Sequence, residues 1–193
     1  LADIRPQVEA LELPPGYRLE WGGEYETAGE AQSGLFASLP LGIAMMFILT
    51  VVLFNNFRQP LAIWSLVPLT IIGVVGALLL TGLPFSFMAL LGTLSLIGMV
   101  IKNAIVLVEE INVQLPQHQD RYHAVVRAAV SRVRPVAMAA LTTMLGMIPL
   151  ISDAFFASMA VALIGGLGVA TLLTLVVLPV MYCVLYRIKV HAD

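Results

Sequence analysis

Charge is what this sequence has least of. Asp, Glu, Lys and Arg make up 11% of its 193 residues, where a soluble domain carries about 25%. With 60% hydrophobic residues there is more apolar surface than a soluble core of this size can hide. The charges are also unevenly placed: none falls between Arg58 and Lys102, between Arg134 and Asp153, or between Asp153 and Arg187. Other absences narrow the chemistry. The lone Cys183 cannot form an internal disulfide and reads as a buried, inert thiol in an apolar run. There is no phosphate-binding loop ending in GK[ST], which excludes ATP hydrolysis by this segment. There is no HExxH, no Ser–His set and no paired Asp at membrane depth, which argues against an intramembrane protease. A net charge of −2 gives no basis for nucleic-acid binding, and nothing implies a cofactor. The sequence opens on Leu1 without a signal-peptide pattern and is expected to be a piece of a longer polypeptide.

What is present is a series of long apolar runs. About 20 apolar residues cross a bilayer as a helix, and continuous rather than alternating runs favour helices over barrel strands. The predicted fold is therefore all-α and membrane-embedded, with a transmembrane domain over 34–190. Five spans fall at about 35–54, 61–83, 85–112, 135–151 and 155–186. Residues 1–33 hold seven of the twelve acidic residues and read as the α+β end of a soluble domain. In them Ile4, Val8 and Leu11 share a helical face, Pro14-Pro15-Gly16 stops that helix, and Tyr17, Leu19 and Trp21 alternate as in a strand. Between the third and fourth spans, residues 120–134 place Tyr122, Val125, Val126, Ala129, Val130 and Val133 on one helical face, with Arg121, Arg127 and Arg134 toward the other. That segment is predicted to lie along the membrane surface.

Lys102 is the residue at odds with its surroundings. It sits within the third span, about 10 Å deeper than Glu109 at 1.5 Å per residue. A lysine near a helix centre costs about 2.5–3.5 kcal/mol on insertion scales, so it normally meets a carboxylate or a watery path. No carboxylate of this sequence lies at matching depth: Glu109 and Glu110 are at one end and Asp153 at the other. The partner is therefore expected outside this chain. Neighbouring Asn103 can bond between helices, and Thr142 and Thr143 can bond their own backbone. Gly165, Gly166 and Gly168, with the row Ala162, Gly166 and Ala170, predict close helix packing. His118, His123 and His191 read as solvated loop residues, and the nine methionines as packing.

The run Gly98-Met99-Val100-Ile101-Lys102-Asn103-Ala104-Ile105-Val106-Leu107-Val108-Glu109 resembles the lysine-bearing tenth helix of resistance–nodulation–division permeases. Arg132-Val133-Arg134-Pro135, followed by Leu141-Thr142-Thr143-Met144-Leu145-Gly146, is similar to their eleventh helix and its lead-in, and Leu13-Pro14-Pro15-Gly16-Tyr17 resembles the end of their periplasmic porter region. The resemblance covers nearly the whole chain and implies helices eight to twelve of a twelve-helix permease of the hydrophobe/amphiphile efflux type. It implies a transporter rather than an enzyme, a proton/substrate antiporter of the bacterial inner membrane. Its partners would be protons, amphiphilic substrates, membrane lipids, two further copies in a homotrimer, a periplasmic adaptor and an outer-membrane channel. The proton relay would include Lys102, Asn103, Arg132 and Thr142. The family's relay threonine often lies seven residues after the arginine; here Ala139 stands there, and Thr142 is one turn further on. The residues by themselves leave open other cargo, such as metal cations or lipids, and an uncoupled structural subunit.

Orientation follows from loop arginines. Arg58, Arg121, Arg127, Arg132, Arg134, Arg187 and Lys189 lie on one side, while the short loops near 81–86 and 151–157 carry no Lys or Arg. The basic side is cytoplasmic, so residues 1–33 are periplasmic and the C-terminus cytoplasmic. A reporter active only when exported should stay silent when fused after Lys189; activity there would invert the topology.

Overall fold

The computed structural model describes residues 24–117 and 120–188. The helix through Ile4 to Leu11, the strand at Tyr17–Trp21, and His118, Lys189 and His191 lie outside the described residues. Among the described residues all regular structure is helical. The helices are α1 (Glu24–Phe54), α2 (Arg58–Trp64), α3 (Leu66–Thr81), α4 (Phe87–Gln114), α5 (Arg121–Met147) and α6 (Ala157–Leu185), with 3-10 turns at Leu115–Gln117 and Ile148–Ser152. They supply five segments long and apolar enough to cross a membrane: Ala31–Phe54, Arg58–Thr81, Phe87–Gln117, Arg121–Ser152 and Ala157–Leu185.

Residues up to 43 form one compact unit and residues from 44 another. In the first unit the helix starts at Glu24, well before the span expected from Leu35, and carries Pro40 without ending. The second unit holds the core. Its axis is α6, which packs against α2, α3, α4 and α5.

Prolines and caps set the helix ends. Pro68 has no N–H for the carbonyl of Trp64, and the second span is split there into α2 and α3 with Ser65 as joint. The Ser65 hydroxyl donates to the Ala62 carbonyl at 2.7 Å. α3 ends on Gly82 at φ 69°, with the Gly82 and Leu83 N–H groups bonding the carbonyls of Leu79 and Leu78. This is the left-handed turn that glycine makes without strain, and Pro84 keeps the helix from resuming. Ser86 then caps α4, accepting from the Ala89 N–H. Asp120 caps α5 by accepting from the Tyr122 N–H at 2.9 Å. Asp153, the one acid between the last two spans, accepts from the N–H groups of Phe155 and Phe156 and shapes the turn into α6.

One boundary differs from the sequence reading. Residues 120–134 and 135–151 were expected as a surface helix and a separate span; α5 instead runs unbroken from Arg121 to Met147 with Pro135 inside it. The change at 134 is one of composition, from arginine-rich to apolar, and composition does not break a backbone. Pro135 removes a single intrahelical bond, to the Ser131 carbonyl, and no glycine or asparagine follows it to stop the helix before Gly146. The helix stops where Pro149 withholds a donor from the Leu145 carbonyl.

Packing at the centre depends on two glycines of α6. A Cβ on Gly165 would come within 2.1 Å of the Ala77 Cβ, and one on Gly166 within 2.2 Å of Leu96 Cδ2 and 2.7 Å of Val74 Cγ2. Gly168, grouped with them by sequence, is different: its nearest neighbour would be Met144 Sδ at 3.8 Å. Gly166→Ala should therefore destabilise the full-length protein by about 1–3 kcal/mol through overpacking. Gly168→Ala should be neutral or slightly stabilising, since alanine favours helix. Thermal unfolding in detergent separates the two, and equal shifts would contradict the close approach.

Candidate functional site

α4 presents two different faces. Leu96, Val100, Ile101, Ala104, Leu107, Val108 and Ile111 are buried against the other helices. Ser95, Lys102 and Glu109, seven residues apart and so nearly in line along the helix, are exposed. The burial of Val100 and Ile101 thus points Lys102 out of the bundle. Among the described residues Lys102 has no ion-pair or hydrogen-bond partner. Asn103, half-buried beside it, likewise bonds to no described side chain.

On α5, the exposed Thr142 donates to the Met138 carbonyl at 2.8 Å and Thr143 to the Ala139 carbonyl at 2.9 Å. Both hydroxyl protons are thus used within the helix, and each oxygen keeps lone pairs to accept with. Arg132 does find a partner: its Nη2 lies 2.5 Å from Glu110 Oε2 on α4. The Glu110 side chain also accepts from Gln114 Nε2 at 3.0 Å. Lys102 lies about 12 Å along α4 from Glu110, and Thr142 about 15 Å along α5 from Arg132. Lys102 and Thr142 therefore sit at comparable distances from the Glu110–Arg132 tie between these two helices, although among the described residues no direct contact joins Lys102 to Thr142 or Arg132.

Next to this pair lies a polar cluster that sequence reasoning missed. Gln59 and Asn112 exchange side-chain amide bonds, at 2.9 Å and 3.2 Å. The Tyr182 hydroxyl donates to Asn112 Oδ1 at 3.0 Å, and its ring stacks on Tyr186 with centroids 4.6 Å apart. Asn56 donates to the Tyr186 hydroxyl at 3.0 Å. Gln59 and Tyr182 are 7% and 2% exposed, so these bonds are sheltered from water. The cluster ties α2, α4 and α6 together at one end of the bundle. A signal existed in the sequence: each of these residues lies near an end of an apolar run on the arginine-rich side. Which would meet which was not legible.

The first half of α5 crosses this same end. Arg121 lines a pocket with Tyr182 and Tyr186, while Arg132 reaches Glu110, two residues before Asn112. The two arginines are about 16 Å apart along α5. Their contacts are spread too: Arg121 lies beside Leu115 and Pro116, just past the end of α4, and Arg132 meets Glu110 within it. Tyr122, Val125 and Val126 line an apolar groove of about 440 Å³ with Pro179, Val180 and Val184 of α6. Of the valine stripe only Val125 is buried, on a face it shares with Ala124 and Ala128; Val126, Val130 and Val133 are exposed. No group of three or more His, Cys, Asp or Glu is placed to hold a metal among the described residues.

The family model described as AcrB/AcrD/AcrF matches residues 2–186. The chain belongs to this family. It is a piece of the transmembrane region of a resistance–nodulation–division permease. Similar curated AcrB/AcrD/AcrF relatives include the cobalt-zinc-cadmium resistance protein CzcA of Cupriavidus metallidurans, 32% identical over 94% of this chain and 18% of that protein. The nickel and cobalt resistance protein CnrA of the same organism is 36% identical over 88% of this chain and 16% of that protein. The multidrug resistance protein MdtC of Edwardsiella ictaluri is 33% identical over 98% of this chain and 19% of that protein. A crystal structure of a heavy metal efflux pump superposes with a TM-score of 0.74 at 34% identity, covering 96% of this chain and 19% of that one. The chain thus spans about a fifth of the length of these relatives.

The buried cluster yields a test. Tyr182→Phe removes one hydroxyl bond and should cost about 0.5–1.5 kcal/mol. Asn112→Leu strands both the Gln59 amide and the Tyr182 hydroxyl and should cost more, about 1–3 kcal/mol. Unfolding midpoints of the purified full-length permease rank the two, and the reverse order would mean that the cluster is hydrated rather than sealed.

Proposed function

We propose that this chain is the C-terminal part of the membrane domain of a proton-driven efflux permease, in which Lys102 is the intramembrane cation of the proton relay. The observation that carries this reading is Lys102 itself: an ammonium at depth, exposed on a polar stripe of α4, without a partner among the described residues. A buried lysine is tolerated when carboxylates or water meet it. The carboxylates belong to the remainder of the permease. Held against an ammonium they stay ionised; protonating one removes its attraction, and the lysine side chain swings away. Asn103, Arg132 and Thr142 serve the same path: Arg132 at its cytoplasmic mouth, Thr142 as a hydroxyl opposite the lysine, in place of the alanine at 139. α4 and α5, which the Glu110–Arg132 pair ties together, are the helices whose shift carries the proton event to the periplasmic side.

In this reading the permease is a multi-pass protein of the bacterial inner membrane, with residues 1–33 periplasmic and the C-terminus cytoplasmic. The first half of α5 lies at the cytoplasmic surface, where both Arg121 and Arg132 meet the same end of the bundle. The assembly is a homotrimer working with a periplasmic adaptor and an outer-membrane channel. We assign amphiphilic drugs as cargo. A second reading, export of divalent metal cations, is favoured by the metal-resistance relatives. Export of ethidium and of Cd²⁺ by cells carrying the full-length protein decides between them.

The relay is tested by Lys102→Ala in the full-length pump. Removing a charge from the middle of a span leaves insertion intact, so membrane abundance should be unchanged. The distant carboxylates lose their counter-charge and become harder to discharge, so export should fall to the level of cells without the pump. Near-normal export at normal abundance would falsify the relay.

A further inference from the structure

We propose that Glu110 is a positioning residue of the proton pathway: it neutralises Arg132 and so sets the outside pH at which the pump loads its proton. This rests on the relay reading above. Nothing in the sequence motif points to Glu110; the geometry does. Its carboxylate lies 2.5 Å from Arg132 Nη2, with the two side chains 17% and 35% exposed. A second contact, from Gln114 Nε2 at 3.0 Å, holds the carboxylate in place from its own helix. Two half-sheltered opposite charges this close act on distant groups nearly as a neutral pair. Remove one, and the other stands alone at the mouth of the path, about 12 Å along α4 from the level of Lys102.

The other charged and titratable groups at this end do not substitute for either partner. On α4, Glu109 points to the exposed side. α5 adds its cap Asp120, 3.6 Å from His123, with Arg121, His123, Arg127 and Arg134, and the Arg121, His123 and Arg134 side chains are exposed. α6 brings Tyr182 and Cys183, and Tyr186 and the exposed Arg187 follow it. α2 brings Arg58, also exposed, and α3 brings none.

The sign follows from electrostatics. An uncompensated cation favours ionised carboxylates and lowers their pKa; an uncompensated anion does the reverse. At about 12 Å and an effective dielectric near 20, one unit charge moves a pKa by about one unit, less after screening by salt. Glu110→Gln leaves Arg132 alone, so half-maximal export should require an outside pH lower by about half to one unit. Arg132→Gln leaves Glu110 alone and should shift the profile up by a similar amount. The double variant restores neutrality and should return to the parental midpoint, at the lower rate expected once the mouth arginine is gone.

The experiment uses the full-length permease in proteoliposomes, driven with whichever of ethidium or Cd²⁺ it exports, with a trapped pH dye reporting proton flux against the pH of the donating side. Rates are normalised to reconstituted protein, so a variant that inserts poorly is still read by its midpoint. Glu110→Asp, which keeps the charge, should hold the parental midpoint. Opposite shifts that cancel in the double variant support the proposal. Shifts of the same sign, no shift, or a double variant that recovers abundance but not midpoint make the pair merely structural and overturn it. Lys102→Ala is run in parallel: proton flux at the parental level there sinks the relay and this inference with it, whereas lost flux beside unmoved Glu110 and Arg132 midpoints sinks this inference alone.

Discussion

The hydrocarbon interior offers no hydrogen bonds, and that constraint orders the rest of this structure. Each buried threonine answers it locally. Thr70, Thr93 and Thr174 donate to the carbonyls of Leu66, Ala89 and Ala170, four residues back. Thr50 does the same toward Met46 and Phe47 and also receives the Trp64 indole N–H at 3.3 Å. Two polar groupings that bridge helices lie at the ends of the spans. At one end Ser86 and Ser158 meet at 2.5 Å; at the other, Gln59, Asn112 and Tyr182 satisfy one another. Between those ends the helices touch through small residues, and α6 can approach α3 and α4 because Gly165 and Gly166 present no side chain.

Within that order Lys102 is the exception, and its exposure is informative because of what surrounds it. The outward surfaces of α1 and α3 are apolar: Val52, Leu53, Leu79 and Leu80 stand exposed. Acyl chains can cover such surfaces at no electrostatic cost. The outward line of α4, Ser95, Lys102 and Glu109, cannot be covered that way. The bundle therefore has two kinds of uncovered surface, one suited to lipid and one that demands protein or water.

The five spans were legible because charge gaps are long and hydrocarbon thickness is fixed. The place of Lys102 inside the third of those helices was legible for the same reason. Boundaries inside spans were less so. The joint at Ser65 is set by Pro68 acting on a carbonyl four residues earlier, within a run that is apolar throughout. The continuity of α5 through Pro135 was hidden by a change of composition that the backbone ignores. Among the glycines, sequence marked small residues on α6 but not which ones face a neighbour; Gly165 and Gly166 do and Gly168 does not. Side-chain pairs across long loops were not legible at all. Glu110 to Arg132 and Gln59 to Asn112 depend on how helices rotate about their axes, and spans that are apolar all round carry no periodic signal for rotation.

That rotation is set by packing, and it makes the Glu110–Arg132 pair more than a local contact. The buried stripe of α4 fixes Lys102 outward, and the pair lies about two turns further along the same helix. Any motion that turns Lys102 must also turn Glu110, because an α-helix transmits rotation along its length. Arg132 is carried by α5, whose own Val125, Ala128 and Ala140 are held in the core. The guanidinium has enough reach to follow a small rotation of α4, but not a large one. A tie of this kind therefore biases α4 and α5 toward the setting in which the two side chains meet. The bias is modest, about 0–1 kcal/mol for a pair that water can still reach, so it favours one register of the two helices without locking it.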